Sequence, residues 1–570
     1  MSNQQYLDNL RHSCAHLLAQ AVLELFPDTQ LTIGPTTEHG FFYDFLPVHN
    51  FKEDDLPVIE KKMHEIAARA YDIVGGQVDK KEARLLFAQN RFKMELLEGI
   101  AGDTVGVYHQ GPFYDLCRGG HVENIKVLKH FKLTGLSGSY WRADRAGQAL
   151  QRITGIAFET KEDLRAYEQA VEDALRYDHR VLGKQLDLFS FHQESPGAAF
   201  FHPRGTTLYN TMIEFSRALQ QDTYQEIKTP LIMHEKLWHT SGHYENYKEN
   251  MYFTQIDDQT HCVRPMNCPS GLMVYQEGLH SYRALPIRLS EYGMVHRYEL
   301  SGVLHGLFRV RTFTQDDAHI FCMPAQIEQE VAAVLMLAET CYKKFGFEHI
   351  SYALSTRPEK AIGDDALWEH ATQALADAMT SRGIAYTLQE GEGAFYGPKI
   401  EIKIKDAMGR QWQCGTVQVD PFLPQNFELE YVASDQSRQQ PVMIHRAIYG
   451  SIERFMGVIL EHYKGRLPLW LAPEQIRIMT ITDAQQEYAA TVLAVLKQQG
   501  VRATIDQSSD KINAKIKRAQ LMQIPWMLVL GDKEREQNTV TLRKLDGTQQ
   551  FGVTLDALRD MIKKSVSNSR

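Results

Sequence analysis

"RVRTFTQDDAHIF", residues 309–321, sets two adjacent acids and a histidine inside a run of apolar and hydroxyl side chains. Charge in a segment that reads as a buried strand is costly unless it is paired or binds something. With the two-residue period of a β-strand, one face carries Arg309, Arg311, Phe313, Gln315, Asp317, His319 and Phe321. The other carries Val310, Thr312, Thr314, Asp316, Ala318 and Ile320 and would pack on a core. The first face offers guanidinium for phosphate, a ring for stacking, and Asp and His for a smaller polar group, which suits an anionic, aromatic ligand. A solvated face of an antiparallel sheet with incidental charge pairs gives the same alternation, so periodicity leaves both readings open.

The strand sits in a chain of 570 residues and 65.3 kDa, too long for a single core, which predicts three or four domains. Its composition, 43% hydrophobic and 23% charged, is that of a soluble globular protein. No apolar run reaches the length of about 18 residues that spans a membrane. The start, "MSNQQYLDNLRHSCAH", lacks a basic stretch followed by an apolar one, so no secretory signal is read there. Seven cysteines, an odd number scattered from Cys14 to Cys414, make no disulfide framework and fit a reducing cytoplasm. The net charge of −9 argues against a protein that coats nucleic acid wholesale. Residues 471–570 differ: 15 Lys and Arg against 11 Asp and Glu give a net of +4, compatible with local RNA contact.

Residues 1–155 combine a strong amphipathic helix, "YLDNLRHSCAHLLAQAVLELF", with short strand-like pieces separated by Gly. Residues 156–186 form a linker whose helix, 161–186, carries Leu164, Tyr167, Val171, Ala174, Leu175 and Leu182 on one stripe and charge elsewhere. Strand-like segments dominate 187–470, interrupted by helices near 326–345 and 364–382. The last hundred residues, 471–570, alternate strand and helix as a small α/β domain does. No G-x-x-x-x-G-K-[ST] loop is present, and "GEGAFYG" misses the G-x-G-x-x-G spacing. A bound nucleotide therefore needs another device.

"VHRYELSGVLHGLFRVRTFTQDDAHIF" resembles the second signature motif of the class II aminoacyl-tRNA synthetases, in the form found in threonyl-tRNA synthetases. "RPMNCPSG", "GEGAFYGPKIE", "CGTVQVDPFLP", "VMIHRAIYGSIERF" and "WLAPEQIRIMTITD" are similar to the same family in the same order, and the likeness runs over essentially the whole chain. The resemblance implies an α+β multidomain fold: an N-terminal α+β editing domain (1–155), the linker (156–186), a class II antiparallel sheet flanked by helices (187–470), and a C-terminal α/β anticodon-binding domain (471–570). Members of the family usually begin with a small ubiquitin-like domain; this sequence starts at the next one.

The family's ATP-gripping arginines correspond to Arg297, Arg309 and Arg454, with Glu299 reading the adenine amino group, Phe313 stacking on the base and Gln413 touching the nucleotide. Lys399 matches a residue beside the α-phosphate or carboxylate, and Mg²⁺ bridges the phosphates. His243, in "TSGHYENY", matches a residue linked to transfer onto the RNA. Spacing alone does not bring Cys268, His319 and His445 together. The resemblance does, as ligands of one Zn²⁺ per chain with a position left open, as in a catalytic site. Gln315 and Asp317 would accept from the amino and hydroxyl groups of threonine, and Tyr396 and Gln418 line the same pocket.

In the first domain, His12 and His16 are i, i+4 on one helix, and Cys117 and His121 share that separation in "CRGGH". By spacing they suggest zinc. The resemblance instead places them, with Lys93 and Asp115, in a pocket that hydrolyses seryl-tRNA without metal; mere packing of the histidines is the third reading. Glu534 and Arg543 fall on positions that read anticodon bases. Three departures stand out. The family's Pro-Gly-His after the liganding cysteine is Pro269, Ser270 and Gly271 here, which could open space beside the metal and alter how an inhibitor binds. The family's Pro before the final editing histidine is Gly120, and its Asn-Glu-Lys-Ile-Gly is "SDKIN" (509–513). The implied activity is ATP-dependent ligation of L-threonine to tRNA(Thr) by a cytoplasmic homodimer, not a membrane protein. The rival readings are a non-charging paralogue that only binds RNA or regulates, and a specialised, inhibitor-tolerant second copy.

Overall fold

The computed structural model describes residues 3–144 and 146–567, which divide near residue 173 into two compact units. Among the described residues no helix is long and apolar enough to cross a membrane.

In the first unit, the helix Asn3–Leu25 packs with the helix Leu56–Ala67 and a four-stranded sheet in the order 30–31, 40–46, 149–158, 130–140. Leu10, Leu17, Leu18, Ala21 and Val22 enter that core. The same helix also buries Asn9, Ser13, His16 and Gln20. Their spacing makes a polar stripe along one face, and its groups are matched from outside. Ser13 Oγ accepts from Val122 N at 3.1 Å, and Gln110 Nε2 donates to Gln20 Oε1 at 2.7 Å. A smaller sheet, 73–79, 104–110 and 113–116, ends immediately before Cys117. The strand Ala149–Phe158 runs past residue 155, so the expected boundary there falls inside a strand.

The linker differs from the single helix expected. It breaks after the helix Lys161–Arg176, and a second helix, His179–Gln185, begins where the Asp178 side chain accepts from Arg180 N. An aspartate that caps a helix N-terminus starts a new helix rather than continuing the old one. No residue of the first helix is buried, as its charge predicts, whereas His179, Leu182 and Gly183 of the second are.

The second unit is built on an eight-stranded sheet in the order 225–226, 287–296, 312–322, 442–447, 411–420, 399–405, 350–355, 386–389. The six inner strands pair antiparallel and the two edge strands join parallel. Helices Ile327–Lys344, Asp365–Thr380 and Ile452–His462 share the main core with one face. The alternation read from sequence holds from Phe313 to Ala318: Thr314, Asp316 and Ala318 are buried on the core side, and Phe313, Gln315 and Asp317 are partly exposed, whereas from Ala318 to Cys322 both faces are buried, His319 and Phe321 included. It does not extend back to Arg309. The strand begins at Thr312, so Arg309 and Arg311 lie in the preceding turn and diverge. Arg311 donates to the Glu299 carbonyl at 2.8 Å and to Ser301 Oγ at 3.2 Å, tying down that loop. The chain ends in a five-stranded sheet, 503–506, 476–480, 526–530, 539–544, 549–554, parallel in its first three strands, with helices Gln486–Gln498, Ile512–Leu521 and Leu555–Ser567.

Candidate active site

The half-exposed face of the strand Thr312–Cys322 opens into a cavity of about 350 Å³ lined by Arg297, Glu299, Phe308, Arg309, Phe313, Gln315, Gln413 and Arg454, among others. Seven residues expected to meet the nucleotide or the amino acid thus share one wall. The Arg297 guanidinium lies 5.1 Å from the Phe313 ring centre, and Arg309 Nε donates to Glu299 Oε2 at 2.9 Å. Arg454 sits in the first turn of the helix Ile452–His462, which Ser451 Oγ caps by accepting Arg454 N at 3.0 Å. Its buried Nε has no hydrogen-bond partner among the described residues. Three guanidinium groups around a ring-lined cavity suit a nucleoside polyphosphate.

Asp316, one of the two acids that open the question of the strand, does not face this cavity. Its carboxylate accepts from Ile448 N, Tyr449 N and Gly450 N at 2.9–3.0 Å, and the Arg446 guanidinium donates to its carbonyl. It binds backbone, and so fixes the turn that delivers Ser451 and Arg454. Asp317 is the acid that faces the site. It accepts from Asn267 Nδ2 at 3.1 Å, and Asn267 Nδ2 also reaches Gln315 Oε1 at 3.4 Å.

Beside Asp317, sheet register assembles a row. Lys399 pairs with Gln418, Gln418 with His445, and His445 with His319, so four expected site residues lie side by side on four neighbouring strands. The Tyr396 hydroxyl donates to Gln418 Oε1 at 2.6 Å, and Lys399 Nζ is 2.9 Å from Glu401. Cys268 opens the helix Cys268–Gln276 over this row. Donor atoms of Cys268, His319 and His445 lie within 4.8 Å of one another, all buried. His445 Nε2 is held by Asp420 Oδ2 at 2.9 Å, and the buried His319 Nε2 lacks a hydrogen-bond partner among the described residues. Burial pushes the Cys268 thiol well above its usual range, helped by Asp317 and Asp420, and pushes the His319 imidazole well below its own. A divalent cation would relieve both, since it would accept the lone pair of the orphaned imidazole and favour the thiolate over the thiol. The donor set therefore fits a zinc ion with an open position. His243 is fully buried 3.8 Å from Cys268 Sγ, and burial, then His445 and Arg297, lowers its pKa to about 3.

At the departure, Ser270 Oγ meets the Met233 sulfur and lines a separate cavity of about 870 Å³ with Met233, Leu237, Met273 and Phe427. A Cβ added at Gly271 would stand 3.1 Å from His319 Nδ1.

In the first unit, His12, His16, Cys117 and His121 converge within 4.8 Å. The His12 and His121 rings stack at 4.3 Å, and Cys117 Sγ is 3.1 Å from His121 Nε2. Gly120 has φ +83°, which proline cannot adopt, so the loop before His121 takes a path closed to the family's residue. Lys93 and Asp115 form a buried ion pair at 2.5 Å, and the Tyr43 hydroxyl completes it, donating to Asp115 at 2.6 Å and accepting from Lys93 at 3.0 Å. Both line a cavity of about 580 Å³ with Gln20, Glu24 and Asn90.

In the last domain, Glu534 is already engaged. It accepts from Gly531 N at 2.9 Å, capping the helix Asp532–Gln537, and from Thr541 Oγ1 at 2.7 Å. Arg543 lies on the strand Thr539–Lys544, and its Nε has no hydrogen-bond partner among the described residues. Sequence reasoning missed Asn267, Asp420 and Tyr43 as site residues. Asn267 and Asp420 sit within motifs it quoted, but the groups they hold, Asp317 and His445, lie 50 and 25 residues away in sequence; Tyr43 carries no local signal.

Three family models match the chain: "tRNA synthetase class II core domain (G, H, P, S and T)" over 252–463, "Anticodon binding domain" over 475–565, and "Threonyl and Alanyl tRNA synthetase second additional domain" over 105–154. A threonine–tRNA ligase from Desulfatibacillum aliphaticivorans is 48% identical over 98% of this chain and 88% of its own length. One from Acetivibrio thermocellus is 47% identical over 98% and 89%. Among solved structures, the RNA-binding domain of threonyl-tRNA synthetase from Cryptosporidium parvum Iowa II matches with 43% identity and a TM-score of 0.67, covering 68% of this chain and 98% of that one. A structure titled threonyl-tRNA synthetase ThrRS-1 from Aeropyrum pernix matches with 27% identity and a TM-score of 0.60 over 69% of this chain and 96% of its own.

Proposed function

Because the chain belongs to the threonyl-tRNA synthetase family, we propose that the cavity under Arg297, Arg309 and Arg454 and the row beside it divide one reaction between them. The protein is an ATP-dependent threonine–tRNA ligase. The threonine carboxylate attacks the α-phosphorus of ATP, a new P–O bond forms and pyrophosphate leaves; a ribose hydroxyl at the RNA 3′ end then attacks the carbonyl and AMP leaves. Arg297 and Arg454 hold the phosphates and the negative charge that grows on the leaving pyrophosphate, with Mg²⁺ bound to the nucleotide. Phe313 stacks on adenine, Glu299 and Gln413 orient the nucleoside, and Lys399 steers the carboxylate.

Cys268, His319 and His445 would hold zinc, which supplies coordination positions for the amino and hydroxyl groups of threonine. Gln315 and Asp317 accept from those same two groups, and Asn267 keeps the Asp317 carboxylate aimed at the site. Tyr396 and Gln418 close the wall. His243, neutral and buried, would take part in transfer only after the amino acid has seated. Valine lacks the hydroxyl and would leave Asp317 unpaired, so it is rejected strongly; serine lacks only a methyl group, which limits discrimination to roughly 10- to 200-fold. That shortfall is the physical reason for a hydrolytic pocket. We assign it to His12, His16, Lys93, Asp115, Cys117 and His121, acting on seryl-tRNA without metal. Glu534 and Arg543 would meet the anticodon. A dimer across the segment around Pro230 and a cytoplasmic location complete the reading.

The observation that carries the reading is the cavity itself, which gathers the expected nucleotide contacts and leads through Gln315 and Asn267 to Asp317. Amino-acid-dependent ATP–pyrophosphate exchange, run with metal analysis across threonine, serine and valine, tests it. Zinc near one per chain, with exchange for threonine and weakly for serine, is expected. Metal-free protein with full exchange, or valine used as well as threonine, would overturn it.

A further inference from the structure

The loop that carries Arg309 into the nucleotide cavity is held from outside the catalytic sheet. His305 and Arg309 form a short bridge, and Gly306 between them has φ +49°. The next residue, Leu307, donates its backbone N–H to His179 Nε2 at 2.9 Å. His179 is fully buried at the start of the helix His179–Gln185, and its Nδ1 donates to Glu461 Oε1 at 2.7 Å. Asp178, His179 and Glu461 are close enough to hold a metal ion, but both His179 nitrogens already have partners. Phe308, which lines the nucleotide cavity, is clasped between the His179 ring at 4.1 Å and the Trp412 ring at 4.3 Å. Glu461 is in turn paired with Arg410, whose other partner, Asp406, accepts from Trp412 Nε1 at 2.8 Å. The two rings that clasp Phe308 are therefore fixed through one chain of charges. A Cβ at Gly306 would come within 2.1 Å of His179 Nε2, so only glycine lets the imidazole reach the loop.

We propose that His179 is a positioning residue for ATP: through Leu307 N–H and the Phe308 ring it holds the 305–309 loop so that Arg309 faces the nucleotide. The proposal rests on the ligase reading and deepens it. It makes the segment just after the linker break a determinant of nucleotide affinity, although His179 touches no substrate.

Exchange kinetics on the full chain test it. His179→Ala and His179→Asn remove the acceptor for Leu307 N–H, and Asn keeps a donor toward Glu461. His179→Gln places an acceptor where Nε2 lies. Leaving a buried N–H without a partner predicts a KM for ATP raised on the order of tenfold in the Ala and Asn variants. The KM for threonine should stay unchanged, and the Gln variant should return toward the parent. Gly306→Ala, which pushes the imidazole off the loop, should copy the Asn variant. If His179→Ala fails to fold, the Asn and Gln pair decides. An Asn variant with the parent's KM for ATP, or ATP and threonine KM rising together with a lowered Tm, overturns the proposal. Should the parent itself show no threonine-dependent exchange, the ligase reading fails instead, and calorimetric ATP binding by the same variants still decides whether His179 sets nucleotide affinity.

Discussion

His319 and His445 stand opposite one another across an antiparallel strand pair, their ring centres 5.1 Å apart and their planes at 86°. Direct opposition puts both imidazoles on one face, so the register of the sheet, not a loop, sets the spacing of the two proposed nitrogen ligands. Asp420 then fixes one of them: with Nε2–H donated to the carboxylate at 2.9 Å, the His445 ring is held in orientation and would offer its other nitrogen, Nδ1, to a metal. Asp420→Asn leaves the three ligands in place but weakens that hold. Zinc affinity, measured by chelator competition, should fall about 10- to 100-fold. An unchanged affinity would remove Asp420 from this role.

Arg454 gives the sharpest test of the nucleotide cavity. Its Nε is buried and has no hydrogen-bond partner among the described residues, which is costly unless a ligand supplies one. Arg454→Lys keeps the charge and loses the forked donor geometry. The exchange rate at saturating threonine should drop by about 10²–10³, the cost of losing one preorganised donor to developing charge. A loss under tenfold would place Arg454 outside the site.

Much of the site could be read from the chain because strand periodicity is local. Phe313, Gln315, Asp317 and His319 share a face by spacing alone, and the buried Thr314 and Ala318 confirm the other. What spacing could not supply was long-range register: nothing in the sequence near His319 points to His445, or near Lys399 to Gln418. The resemblance supplied the first pair; the second comes only from the sheet register. Asp316 shows the limit from the other side. Spacing puts it on the core-packing face but does not say what holds its charge there: its partners are backbone N–H groups of residues 448–450, and a backbone donor leaves no mark in a sequence. Arg309 and Arg311 were separated by where the strand begins, and strand ends are set by tertiary pairing rather than local preference.

The histidine cluster of the first unit predicts acid sensitivity. Burial lowers the proton affinity of His12, His16 and His121, His121 to about 2, with neighbouring imidazoles adding to the shift for His16 and His121 and Asp115 partly opposing it at His12 and His121. The unfolded chain takes up these protons below its ordinary histidine value of about 6.5, while the folded unit does not. The unfolded state therefore binds more protons in that window, and stability is lost as pH falls below about 6.5. Protection factors in the helix Asn3–Leu25, corrected for the intrinsic pH dependence of amide exchange, should be lower at pH 5 than at pH 7.5, and His16→Gln should flatten the difference. Equal protection at both pH values would count against a neutral, buried cluster.

Tyr43 should matter to the hydrolytic pocket although no motif marks it. Its hydroxyl donates to Asp115 and accepts from Lys93, closing a triangle, and Asp115 also accepts from Leu116 N at 2.7 Å. Tyr43→Phe preserves the ring against Phe45, stacked at 5.0 Å, and deletes only the hydroxyl. The ion pair survives, but each charge loses one of the contacts that fixed its direction, a cost of about 1.5–3 kcal/mol for a hydrogen bond to a charged group. If the Lys93–Asp115 pair orients the seryl ester or its attacking water, deacylation of seryl-tRNA should slow by roughly tenfold or more. A Tyr43→Phe protein that deacylates at the parent's rate would show that the pair only holds the domain together, and the hydrolytic chemistry would then rest on the three histidines and Cys117.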